Sequence, residues 1–133
     1  MSEIAEPLLS WLILLARLSL AAVFLVSGIH KARYYRQAVE EFHRAGIGLV
    51  GLTLPLTIAL HVLAALAIVA GVYVVEAALL LALFTLVATL QVHRFWSATG
   101  AERLEQSRIA LAHLAIIGGL LMLAATGPGR FAL

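Results

Sequence analysis

The chain holds few residues able to do chemistry, and they stand out against their surroundings. Arg17 interrupts an otherwise apolar run over residues 8–29, and His61 lies in the middle of a second run. His30, His93 and His113 fall at or near the ends of such runs, with Lys31, Phe95 and Trp96 close by. A guanidinium in hydrocarbon costs about 2.5–3.5 kcal/mol on insertion scales, so Arg17 must turn inward. Helical spacing places Arg17, Ala21, Phe24, Gly28 and Lys31 on one face, the face expected to line a bundle interior. Arg17 reads equally as a functional group and as a buried strut bonded to helix-end carbonyls. Charging His61 near that arginine is unfavourable, so a neutral imidazole accepting a hydrogen bond is expected. Arg17 and His61 together are the candidate polar centre.

Two kinds of ligand suit these side chains. Histidines on facing helices of a four-helix bundle can hold haem. Here His61 and His113 differ by roughly 7 Å in expected depth, and the remaining histidines sit at helix ends, so haem is not expected. A quinone needs hydrogen-bond donors for its carbonyls and flat apolar walls near the membrane surface. His30, Lys31, His93, Phe95 and Trp96 could supply these, with His113 one turn further in. The same residues also read as an aromatic belt with basic anchors, which membrane interfaces commonly carry, and spacing alone favours the belt.

Other chemistry is excluded more firmly. Cysteine is absent, which removes disulfides, thiolate metal ligation and any thiol relay. The chain has no Asp, and its seven Glu fall at the surface or in links. No nucleophile elbow, phosphate loop or His-Glu-x-x-His motif is present, so no metal site is expected and no catalytic residue can be assigned.

These residues are positioned by apolar helices. Of 133 residues, 63% are hydrophobic and 12% charged, against about 25% charged in a soluble domain. So small a globule could not hide that much apolar surface, and the lipid bilayer is the expected partner. Four stretches are long enough to cross it, at about 8–29, 52–74, 76–93 and 109–127. The chain therefore reads as one all-α membrane domain over residues 1–133, a bundle of four transmembrane helices. A β-barrel would need alternating polarity, which is missing. Pro55 is placed in the first turn of the second helix, where no amide donor is needed. Ala67-x-x-x-Gly71 and Ala115-x-x-x-Gly119 provide close helix contacts. Apart from these, no internal repeat stands out.

Charge sets the orientation. Lys31, Arg33, Arg36 and Arg44 lie in the first link and Arg94, Arg103 and Arg108 in the third, whereas Arg130 alone lies on the other side. Seven against one puts both basic links in the cytoplasm and both termini on the outer, periplasmic side. The net charge of +2 is thus a matter of topology, and no nucleic-acid partner is expected. Glu3 and Glu6 in place of a basic leader argue against a cleavable signal. Residues 34–44 alternate aromatic and charged side chains at helical spacing, as an amphipathic helix in the membrane interface would; a solvated loop is the alternative.

The order Arg17-x6-Phe24-x2-Ser27-Gly28-x2-Lys31, then Ala45-Gly46, Gly71, His93-x-Phe95-Trp96, Gly118-Gly119 and Gly127-Pro128-Gly129-Arg130 resembles the DoxX family of small four-helix membrane proteins. The resemblance covers nearly all of the chain. It implies a bacterial inner-membrane protein associated with quinone-linked redox chemistry, since one member is a subunit of a thiosulfate:quinone oxidoreductase. Many members carry Glu in the second helix where this chain has His61, which removes a carboxylate partner for Arg17. Related vitamin K epoxide reductases use cysteine pairs, which are missing here. On this basis the chain is expected to act as a redox-associated subunit beside a larger membrane protein or a second copy of itself. Two alternatives stand: a non-catalytic scaffold or accessory subunit, and a small-solute carrier that gains its cavity by oligomerising.

Overall fold

A computed structural model describes residues 5–133, and among them the chain forms five helices and no strand. They are α1 (Ala5–Arg33), α2 (Tyr35–Arg44), α3 (Val50–Ala70), α4 (Val74–Val92) and α5 (Gly100–Thr126). Four of these, all but α2, are long and apolar enough to cross a membrane. Glu3, used above against a cleavable leader, lies outside the described residues.

The spans run alternately up and down, α1 packing chiefly on α3 and α4 chiefly on α5, with α3–α4 and α1–α5 contacts closing the bundle. Lipid removes the hydrophobic drive between helices, so small residues that allow close packing take the interior. Ala21, Ala64, Ala65, Ala77, Ala78 and Ala82 are buried around Ile68, Leu81, Leu120 and Leu123. Larger side chains such as Leu15, Val26, Leu63, Leu83 and Leu111 face outward. The α1 and α3 helices approach closely at Gly28, where an added Cβ would stand 3.1 Å from His61 Cβ and 2.9 Å from Val62 Cγ2.

Several helix limits differ from the hydropathy reading. The second span ends at Ala70 and not at 74, because Gly71 takes a left-handed conformation (φ +81°) and Val72 N–H bonds back to the Ala67 carbonyl. The α3 helix starts at Val50, so Pro55 falls in its second turn, where it cannot donate to the Gly51 carbonyl. The α5 helix starts at Gly100, nine residues before position 109. Hydropathy marked only the apolar part of that helix, whereas Ala101, Glu102, Arg103, Leu104 and Glu105 are good helix formers without being apolar as a group. Arg103 and Arg108 therefore ride on a helix. Of residues 34–44, all but Tyr34 form a helix, α2, which buries Ala38 and Phe42 against α3 and α1.

At the end away from the basic links, the segment after α5 folds back over α1. Phe131 packs on Trp11 with ring centroids 4.8 Å apart, Arg130 meets Glu6 at 3.3 Å, and Leu133 N–H bonds to the Ala70 carbonyl. Beneath this cover lies Arg17, 1% exposed. Its Nε donates to the Ile68 carbonyl (3.0 Å) and its Nη2 to that of Val69 (2.7 Å), both in the last turn of α3. Nη1 donates to the Pro128 carbonyl (2.8 Å) and to that of Phe131. Helix-end carbonyls lack intrahelical partners and carry the negative end of the helix dipole, so a cation is well placed there without a carboxylate. Gly71 keeps the space open, since a Cβ at that position would stand 3.2 Å from Nη2.

Replacing this guanidinium leaves carbonyls orphaned in a dry site. Arg17→Met is expected to cost about 3 kcal/mol or more, read as a lower midpoint when the micellar protein is unfolded by SDS and followed by circular dichroism. Arg17→Lys, which keeps the charge but loses the planar fork, should fall between Met and the natural residue.

Candidate functional site

Two short stripes of polar residues cross the apolar bundle. On α3, Thr53, Thr57 and His61 recur every four residues, and Thr85 and Thr89 of α4 do the same with His93, the residue that caps its C-terminal end. Residues at that spacing share a helix face. Each threonine can spend its hydroxyl on the carbonyl one turn back, as Thr57 does on Thr53 (2.8 Å), Thr85 on Leu81 (2.7 Å) and Thr89 on Thr85 (2.6 Å). Because α3 and α4 are antiparallel, the stripes run in opposite directions. One histidine, His61, therefore lies deep, while His93 lies at the basic end of the bundle.

Between the stripes is a cavity of about 560 Å³. Val23, Phe24, Leu56, Phe84, Val87 and Ile116 make much of its wall apolar, and Glu41 and Phe42 of α2 border it. Four of the residues singled out from sequence line it together: Lys31, His61, His93 and His113. Lys31 Nζ donates to Ser27 Oγ at 2.8 Å. His93 and His113 stand edge to face with centroids 5.1 Å apart. Their Nδ1 atoms are each engaged, His113 with Thr89 Oγ1 and His93 with Gln106 Oε1, both at 2.7 Å.

Other expected neighbours are not in the cavity wall. Arg17 is bonded to carbonyls at the far end, and Ile68, which it grips, is seven residues or roughly 10 Å along α3 from His61. Arg17 and His61 thus sit at separate places, not in one polar centre. His30 is exposed and packs on Tyr34, with centroids 4.8 Å apart. Phe95 and Trp96 are exposed and pack on each other in the turn after α4.

The hydrogen bond expected at His61 is also missing. Among the described residues, neither Nδ1 nor Nε2 has a partner, although the side chain is only 4% exposed. Two phenyl rings take the surrounding space: Phe84 and Phe24 meet the imidazole edge to face, with centroids at 4.8 and 5.4 Å.

Sequence reasoning missed Thr85, Thr89, Gln106, Phe84 and Glu41. A signal for the first two existed in the four-residue stripe leading to His93, paralleled by the one leading to His61. Glu41 and Gln106 gave none, because their relevance depends on how α2 and α5 pack.

A buried polar group without a partner costs about 1–3 kcal/mol. His61→Leu, which removes the unpartnered nitrogens while keeping an apolar bulk, should therefore raise the SDS unfolding midpoint. A lowered midpoint would mean that the ring nitrogens find partners in the membrane.

The DoxX family model matches residues 12–94. Inner membrane protein YphA of Escherichia coli (strain K12) is 28% identical over 122 residues, covering 92% of this chain and 87% of that protein. Inner membrane protein YqjF of the same organism is 33% identical over 121 residues, covering 91% and 88%. No solved structure matches the chain.

Proposed function

The chain belongs to the DoxX family, and from that premise we propose that it is an inner-membrane subunit that binds a quinone between its helices and serves quinone-linked redox chemistry. The observation that carries this reading is the cavity of about 560 Å³ with Lys31, His61, His93 and His113 on an otherwise largely apolar wall. Ligand sites are commonly about 300–1,000 Å³ and mostly apolar, with a few convergent polar groups. Phe24 and Phe84 offer flat walls for a ring, and Lys31 retains N–H groups for a ring oxygen beyond the one given to Ser27. His61, with no partner for either nitrogen, is a second place for a polar atom of the ligand. A quinone supplies reversible electron and proton uptake when bound; the side chains supply its orientation and dry surroundings. The electron partner is a neighbouring membrane protein.

The same reading places the cavity towards the cytoplasm. Seven Lys/Arg of the first and third links cluster at that end, against Arg130 at the other. The α2 helix then lies in the cytoplasmic interface, with its apolar face inward, and both termini face the periplasm. A C-terminal alkaline phosphatase fusion should be active and a C-terminal GFP fusion dark; the reverse pair would overturn the orientation.

Binding is tested directly by native mass spectrometry of the protein purified in mild detergent, with lipid-extract quinones added. The natural chain should retain quinone or its quinol, and His93→Ala should lower the summed occupancy of the two several-fold. Equal occupancy in the variant would remove His93 from the site, and a bare protein under all conditions would favour the scaffold reading.

A further inference from the structure

The hydrogen bonds beside the cavity determine which histidine nitrogens carry hydrogen. Thr89 has one hydroxyl hydrogen, and its Oγ1 lies 2.6 Å from the Thr85 carbonyl, the ordinary acceptor for a helical threonine. With that hydrogen committed, the 2.7 Å contact to His113 Nδ1 requires the imidazole to donate. Gln106 Oε1 is a carbonyl oxygen and can only accept, so His93 also carries its hydrogen on Nδ1. In a neutral ring the other nitrogen is then a bare lone pair. Both Nε2 atoms are therefore acceptors, on two rings 5.1 Å apart that line the same cavity. Lys31 lines it too, with donors to spare.

From this we infer that the cavity prefers a ring bearing hydroxyl groups, the hydroquinone form of its ligand over the quinone form. The inference rests on the quinone reading above and adds the oxidation state that is recognised. A hydroxyl can give its hydrogen to an imidazole Nε2 while its oxygen accepts from Lys31. A quinone carbonyl can use Lys31 but sets its own lone pairs against the bare nitrogens. Sites built to hydrogen-bond a hydroxyl reject analogues lacking it, because their own polar groups are left unpaired. Thr89 and Gln106 are positioning residues, acting through the imidazoles they orient.

The test uses the full chain in nanodiscs and three probes: decylubiquinone, its quinol kept under anaerobic reducing conditions, and the dimethyl ether of that quinol. The quinol should bind at least about tenfold more tightly than either of the others. Thr89→Val and Gln106→Leu should bring the quinol-to-quinone ratio towards one, whereas Thr89→Ser, which keeps an acceptor oxygen, should preserve it. Quinone affinity that persists in the Val and Leu variants shows that the cavity is intact. Nitrogen NMR of labelled histidine should find hydrogen on Nδ1 of His113. Quinone binding as tight as quinol, or an ether that matches the quinol, would overturn the preference while leaving the quinone site standing. Failure of all three probes to bind would overturn both.

Discussion

One cation held by backbone carbonyls organises the far end of this protein. Arg17 takes two acceptors from the last turn of α3 and two from the segment after α5, so three parts of the chain distant in sequence meet at one guanidinium. Those carbonyls need a donor in any case, because a helix end in a dry environment has no water to turn to. A carboxylate in their place would have neutralised the arginine but left the carbonyls unserved. The fork geometry of arginine suits this task better than lysine, since its donors spread in a plane and can reach several acceptors at once.

With that end fixed, the other end is free to be less well packed. Small residues bring α1 and α3 together at Gly28, and alanines dominate the buried core around Leu81 and Ile68. Towards the basic links the helices are separated by threonine and histidine stripes instead, and space opens between them. Threonine is well suited to such a wall. Its hydroxyl is satisfied within its own helix, so it lines a cavity without demanding a partner from the ligand.

The sequence read alone was sound on the elements and weaker on their meeting points. Long apolar runs are hard to mistake, and a charge on one of them identifies the inward face, so the four long helices and the orientation of Arg17 were legible. Lys31, His61, His93 and His113 were each marked from their types and depths. What could not be read was the set of partners. Carbonyls leave no trace in side-chain pattern, so helix-end carbonyls could be offered as one of two readings of Arg17 but not assigned to particular residues, and a pairing with His61 looked natural because both are polar and inward. The stripe ending in His93 was visible, but threonine in an apolar helix is easily passed over as a near-hydrophobe. Trp96 and Phe95 show the opposite error: aromatic side chains next to a histidine suggested a site, while the turn after α4 points them outward.

The return of the C-terminal segment onto α1 has a consequence for biosynthesis. Pro128 and Phe131 lie 111 and 114 positions after Arg17, so during translation α1 enters the bilayer long before half of the acceptors for its arginine have been made. Until then the helix carries an incompletely satisfied cation. It must wait beside the insertion machinery, lean on lipid headgroups, or draw water inward. Synthesis of the segment after α5 is thus also the event that relieves the first helix.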